Sequence, residues 1–108
     1  MISRILMDGE KQRYYVMARD DRFVIMTKPF NAKKTYTYTI ADMDLGIRGP
    51  CDLIFGPPAE LDTTEGAKVA LQMLRAGEMG VSRRRCLHLS PSEIEQLRQR
   101  LPHPDKDM

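Results

Sequence analysis

Arg83, Arg84 and Arg85 stand side by side in this chain, and a guanidinium is the side chain best suited to holding a phosphate or carboxylate by paired hydrogen bonds. Lys33 and Lys34 form a second cationic point, in a loop that also carries Phe30, whose ring could stack on a nucleobase. Arg48 is a third, set between Gly46 and Gly49 in the run Gly46-Ile47-Arg48-Gly49-Pro50. An arginine held on a rigid glycine loop loses little entropy when it binds an anion. The run matches neither glycine pattern used for nucleotide phosphates, and Pro50 opposes a helix start after it, so a turn between strands is expected there. These six residues, Lys33, Lys34, Arg48, Arg83, Arg84 and Arg85, are the candidate nucleic-acid contacts.

The other constellations do not assemble a reaction. Cys86 and His88 are two apart and would share a strand face, but no second pair completes four zinc ligands and no third group orients a nucleophile. Asp42 and Asp44 have the same spacing and lack converging partners, so they read as turn carboxylates. Cys51 and Cys86 are expected as free structural thiols, because nothing in the sequence points to an oxidising compartment. No catalytic residue, metal site or cofactor is predicted, and neither is a small-molecule substrate.

The elements that would position the six cations are legible as periodicities. In Thr35-Tyr36-Thr37-Tyr38-Thr39-Ile40 a strand puts the tyrosines and Ile40 on one face and the threonines on the other, predicting a half-buried strand with a wet threonine face. Two apolar runs precede it, 13–19 and 22–28, joined by a charged hairpin tip at Arg19-Asp20-Asp21-Arg22. Both have apolar residues on both faces, so both should be central or covered twice, with Tyr14, Val16 and Ala18 sharing one face. Pro29 should end the second run. Residues 2–7 suggest an additional strand, and 52–55 a further one closing the meander before Gly56-Pro57-Pro58.

Helices are expected later. Asp62 and Glu65 have capping-box spacing, and Ala67, Ala70, Leu71 and Leu74 form an apolar stripe, predicting a helix over 63–76 with Gly77 as its C-terminal cap. Ser90-Pro91-Ser92-Glu93 marks a second start, with Ile94, Leu97 and Leu101 facing the core and Pro102 as the stop.

Residues 72–89 accept two readings. Ala76, Gly80, Val81, Cys86 and Leu89 are spaced so that the segment resembles the turn and recognition helix of a helix-turn-helix, which implies Arg83 to Arg85 pointing at DNA. Alternatively 81–89 is a strand on the sheet edge, with the arginines as solvated guards against aggregation. The strand reading leads.

The expected fold is α+β: one domain over 1–102, an antiparallel and barrel-like sheet of about four to six strands spanning 13–55 and its extensions, two covering helices, and a frayed polar tail at 103–108. The 108 residues suit a single core, and 42% hydrophobic with 30% charged residues excludes a disordered chain. A net charge of +2 is too small to imply nucleic-acid binding by itself, so any basic footprint must be local. No apolar run is long enough to span a bilayer and no secretory signal is evident, which predicts a cytoplasmic protein without membrane contact. The functional expectation is a small non-enzymatic binding module contacting nucleic acid. The alternatives are a protein-interaction or homodimerisation module and the helix-turn-helix reading.

Overall fold

The computed structural model describes residues 4–11, 13–29, 36–53 and 64–100. The chain runs β1 (Arg4–Ile5), β2 (Tyr14–Arg19), β3 (Phe23–Pro29), β4 (Tyr36–Asp42), β5 (Ile47–Gly49), β6 (Cys51–Leu53), α1 (Thr64–Arg75), β7 (Met79–Val81), β8 (Leu87–His88) and α2 (Pro91–Glu95), which continues as a π-helical stretch, Gln96–Arg100. Six strands form a curled, half-barrel antiparallel sheet in the order β1-β2-β3-β4-β5-β8, and β6 pairs with β7 in a separate two-stranded ribbon. This is the α+β architecture expected, with two helices packed on the sheet.

Alternation along the strands builds two cores, one on each side of the sheet. On β3, Phe23 and Ile25 enter a cluster with Ile40, Ile47 and the α1 stripe of Ala67, Ala70, Leu71 and Leu74. Val24 and Met26 point the other way, into a cluster with Ile5, Met7, Tyr14, Ala41, Leu89 and Leu97. Burying a side chain of this size contributes roughly 1.5–3 kcal/mol, so a strand that feeds both clusters is fixed in register from both sides.

Four features of the sheet differ from what the sequence predicts. Val16 and Ala18 do not share a face: the β2–β3 register shifts between them, and that irregularity turns Val16 to the second cluster and Ala18 to the first. At its described positions the threonine face of β4 is not wet, since Thr39 is buried and Ala41 lies in the second cluster. The run expected as a turn is itself a strand, β5, paired so that Ile40 faces Gly49 and Asp42 faces Ile47. The strand expected at 52–55 begins at Cys51 and leaves the meander for β7, while Ile54, Phe55 and Gly56 to Pro58 lie outside the described residues.

The helix ends follow local chemistry. Asp62 is outside the described residues, but the C-terminus of α1 closes as expected: Gly77 takes φ +79, Glu78 N donates to Met73 O at 2.9 Å and Gly77 N to Leu74 O at 3.2 Å. Ser90 and Glu93 complete a reciprocal capping box with Pro91 in the first turn. Beyond Glu95 the expected α-helix widens into the π-helical stretch, where the buried Arg19 reaches across the second cluster and its Nη1 donates to Leu97 O at 2.9 Å. Leu101, Pro102 and the tail at 103–108 are outside the described residues.

Candidate functional site

The two readings of 72–89 meet here. Met79–Val81 and Leu87–His88 are strands in different sheets, and no recognition helix forms over 81–89, which removes the helix-turn-helix geometry. The single strand expected there is likewise split, by a turn that contains Arg83 and Arg84. Its first anchor is Ser82 N donating to Pro50 O at 2.9 Å. Its second is the Cys86 thiol, which donates to Arg83 O at 3.6 Å. Gly49 fits beneath it: a Cβ there would lie 3.1 Å from Cys86 Cα and 3.3 Å from Arg85 O, so any side chain would require this backbone to give by a few tenths of an ångström.

Arg83, Arg84 and Arg85 are all exposed, and no carboxylate among the described residues pairs with them. Other arginines of the fold are engaged. Arg22 grips Asp42 with two bonds of 3.0 Å, and Arg75 Nε meets Asp20 Oδ2 at 2.6 Å. Arg48 is only 5% exposed, so the expectation of an arginine displayed on a loop is corrected. Its Nε meets Glu93 Oε2 at 3.1 Å, its Nη2 donates to Asp8 O at 3.1 Å, and its Nη1 lies 3.8 Å from Glu10 Oε1. Glu93 is 2% exposed and its carboxylate also accepts from Ser90 N at 2.7 Å and Asp8 N at 3.0 Å. Both oxygens of that buried carboxylate are thus hydrogen-bonded inside the protein, Oε1 by one donor and Oε2 by two. Lys33, Lys34 and Phe30 lie outside the described residues. Of the six candidate contacts, the structure therefore brings together the three arginines of the turn and separates Arg48 from them.

The turn delivers the chain to β8, and β8 is an edge. It pairs with β5 on one side only, Arg48 opposite Leu87 and Ile47 opposite His88. Leu89 N donates to Gly46 O at 2.8 Å, which fixes the phase of the ladder. Alternate residues of an antiparallel strand bond inward, so Leu87 shares Leu89's phase and the N–H and C=O of His88 face outward, away from β5. Both residues of β8 are exposed, Leu87 at 56%. The opposite edge of the sheet is treated differently. Gln96 lays its side-chain amide along the chain just past β1, with Nε2 donating to Leu6 O at 2.8 Å and Oε1 accepting from Leu6 N at 3.3 Å. An amide side chain thus occupies the groups a neighbouring strand would use.

Sequence reasoning identified the arginine run and put a strand of 81–89 on the sheet edge; the edge position holds, but only Leu87–His88 of that segment pairs there. Sequence reasoning missed Gln96 and the Glu93–Arg48 pair, for which the only signal was Glu93's place in the capping box.

Of the two expected turn carboxylates, Asp42 organises the turn after β4: its Oδ1 accepts from Asp44 N and Leu45 N, each at 3.1 Å. It is nevertheless buried rather than solvated. The Glu10 carboxyl is held below its ordinary value by the hydrogen bond from Lys28, with Tyr14 and Arg48 adding to the effect against a smaller opposing contribution from burial. Both cysteines are free and half-buried, and burial pushes the Cys51 thiol up to about 11, so it is a packing group at neutral pH. Among the described residues no three His, Cys, Asp or Glu side chains gather to hold a metal ion, and no helix is long and apolar enough to cross a membrane. Neither a protein-family model nor a curated protein nor a solved structure matches this chain.

Proposed function

We propose that this chain is a non-enzymatic interaction module that captures an extended segment of a protein partner along β8. The observation that carries this reading is the contrast between the two sheet margins: the side chain of Gln96 engages the main chain at Leu6, just past β1, while the outward N–H and C=O of His88 have no partner among the described residues. Strand addition draws its affinity from main-chain groups of this kind and its specificity from the flanking side chains. Selection of extended peptides from a random displayed library tests it. Binders should slow hydrogen exchange at the His88 amide, and binders that protect only other regions would remove strand capture from consideration.

A second reading rests on the turn itself. Three exposed arginines without an ion pair among the described residues are a compact phosphate footprint, and contact between this turn and nucleic acid would make log affinity fall with log salt by a slope of up to about three. Replacing Arg83, Arg84 and Arg85 with Gln should flatten that slope and leave folding intact. No binding by the parent protein to DNA or RNA at low salt would dismiss it.

A further inference from the structure

Resting on the strand-capture reading, we infer that the captured segment is acidic on one side of its docking point: an apolar residue packs beside Leu87, and a run of carboxylates follows it in sequence to meet Arg83, Arg84 and Arg85.

The order follows from geometry. Every pairing in the six-stranded sheet is antiparallel, and a segment that joins β8 in the same sense runs opposite to it. The partner residue opposite His88 accepts and donates the two outward main-chain bonds. The next partner residue lies opposite Leu87, and because cross-strand neighbours share a face, it meets an apolar side chain that is 56% exposed. Those that follow advance past Cys86 into the arginine turn. Carboxylates there would meet three guanidiniums that no acid of the described structure neutralises, whereas carboxylates before the apolar residue would run the other way, toward Leu89 and Ser90. Gly49 supports the turn from below and Ser82 ties it to Pro50, so the arginine backbone is preset and less ordering is left to binding.

The test uses the full chain and synthetic peptides of about twelve residues that carry one leucine. In the first probe three aspartates follow the leucine after a two-residue gap; in the second they precede it; in the third they are asparagines. A mixed-sequence oligonucleotide is the fourth. The expected result is that the first peptide binds, that the other two bind roughly tenfold more weakly, and that salt weakens the first most. His88→Pro removes only an outward N–H, so the β5 pairing survives in circular dichroism while binding of the first peptide is lost. An N-methyl group on the peptide residue opposite His88 should do the same without altering the protein. The triple change of Arg83, Arg84 and Arg85 to Gln should weaken the first peptide about tenfold and bring it level with the asparagine form.

Equal binding of the acidic and asparagine peptides, lost in both on His88→Pro, would overturn the acidic order and leave strand capture standing. Binding of the first peptide unaffected by His88→Pro and by N-methylation would overturn strand capture itself. Binding of the oligonucleotide alone, lost in the triple variant, would replace a peptide with nucleic acid. A parent dimer in light scattering that His88→Pro separates would mean that a second copy fills the edge. Binding of none of the four probes would reject the proposal outright.

Discussion

Glu93 concentrates more structural responsibility than any other polar side chain described in this fold. Its carboxylate caps its own helix through Ser90 N, ties down the chain at Asp8 N and pairs with Arg48 in the middle of β5. Removing one member of a buried pair leaves the other charged without water, which costs about 3–5 kcal/mol, whereas replacing both by apolar groups of similar volume is often close to neutral. Glu93→Gln should therefore lower the unfolding free energy by about 3 kcal/mol in urea, and Arg48→Met combined with Glu93→Leu should recover part of that loss. The recovery will be incomplete, since Ser90 N and Asp8 N also lose their acceptor. A double variant as unstable as the sum of its singles would show that the two side chains act independently. At this scale the sequence disclosed residue types and nothing of their pairing. Arg48 looked like a displayed cation because glycines flank it, and only the arrival of α2 from 45 residues downstream turns it inward.

At the scale of elements, what depends on local spacing was legible. The hairpin at Asp20 is one case: its Oδ1 accepts from Phe23 N at 2.6 Å and Arg22 N at 2.8 Å, the local bonding that suits an aspartate to a turn. The α1 stripe, the Gly77 cap and the Ser90–Glu93 box are others. What depends on distant chain was not legible: the shift after Val16, the departure of β6 to pair with β7, and the π-helical stretch that receives Arg19. Gly49 joins the two kinds of information. Its type was visible, but its reason is the backbone of Cys86 passing 3.1 Å from where a Cβ would sit. Gly49→Ala should cost about 1–3 kcal/mol through overpacking against backbone that cannot rotate away. It should also move the arginine turn, so a change in the amide resonances of Arg83 to Arg85 larger than that around α2 is the expected signature. An alanine variant with parent stability would refute the tight crossing.

The whole molecule is a sheet gripped from both sides, and its charged ties lie at the margins of the two cores. Arg75 at the end of α1 meets Asp20 at the β2–β3 hairpin, joining helix to sheet. Burial alone would raise the Asp20 carboxyl, but hydrogen bonds from Phe23 N, Arg75 and Arg22 N outweigh it and hold it below its ordinary 3.8. A carboxyl depressed in the folded state adds stability that is present above its unfolded value and is lost as pH falls through the folded one. The urea midpoint should accordingly fall below about pH 4, and Asp20→Asn should lower the midpoint at neutral pH while flattening the acid decline; an unchanged acid decline would exclude Asp20 as a contributor. The amide of Gln96 has a larger consequence at this scale. Among the described residues the β8 edge is open while the other margin of the six-stranded sheet is engaged at Leu6, so strand addition at β8 would stop after one strand. Freeing that margin makes a body with two dissimilar open ends, and contacts of that kind repeat without closing into a ring. Gln96→Ala should turn the protein from a terminating unit into a propagating one, detectable as concentration-dependent filaments by light scattering and electron microscopy. His88→Pro in the same chain should abolish them by blocking the growing end, and a double variant that still polymerises would assign the filament to some other surface.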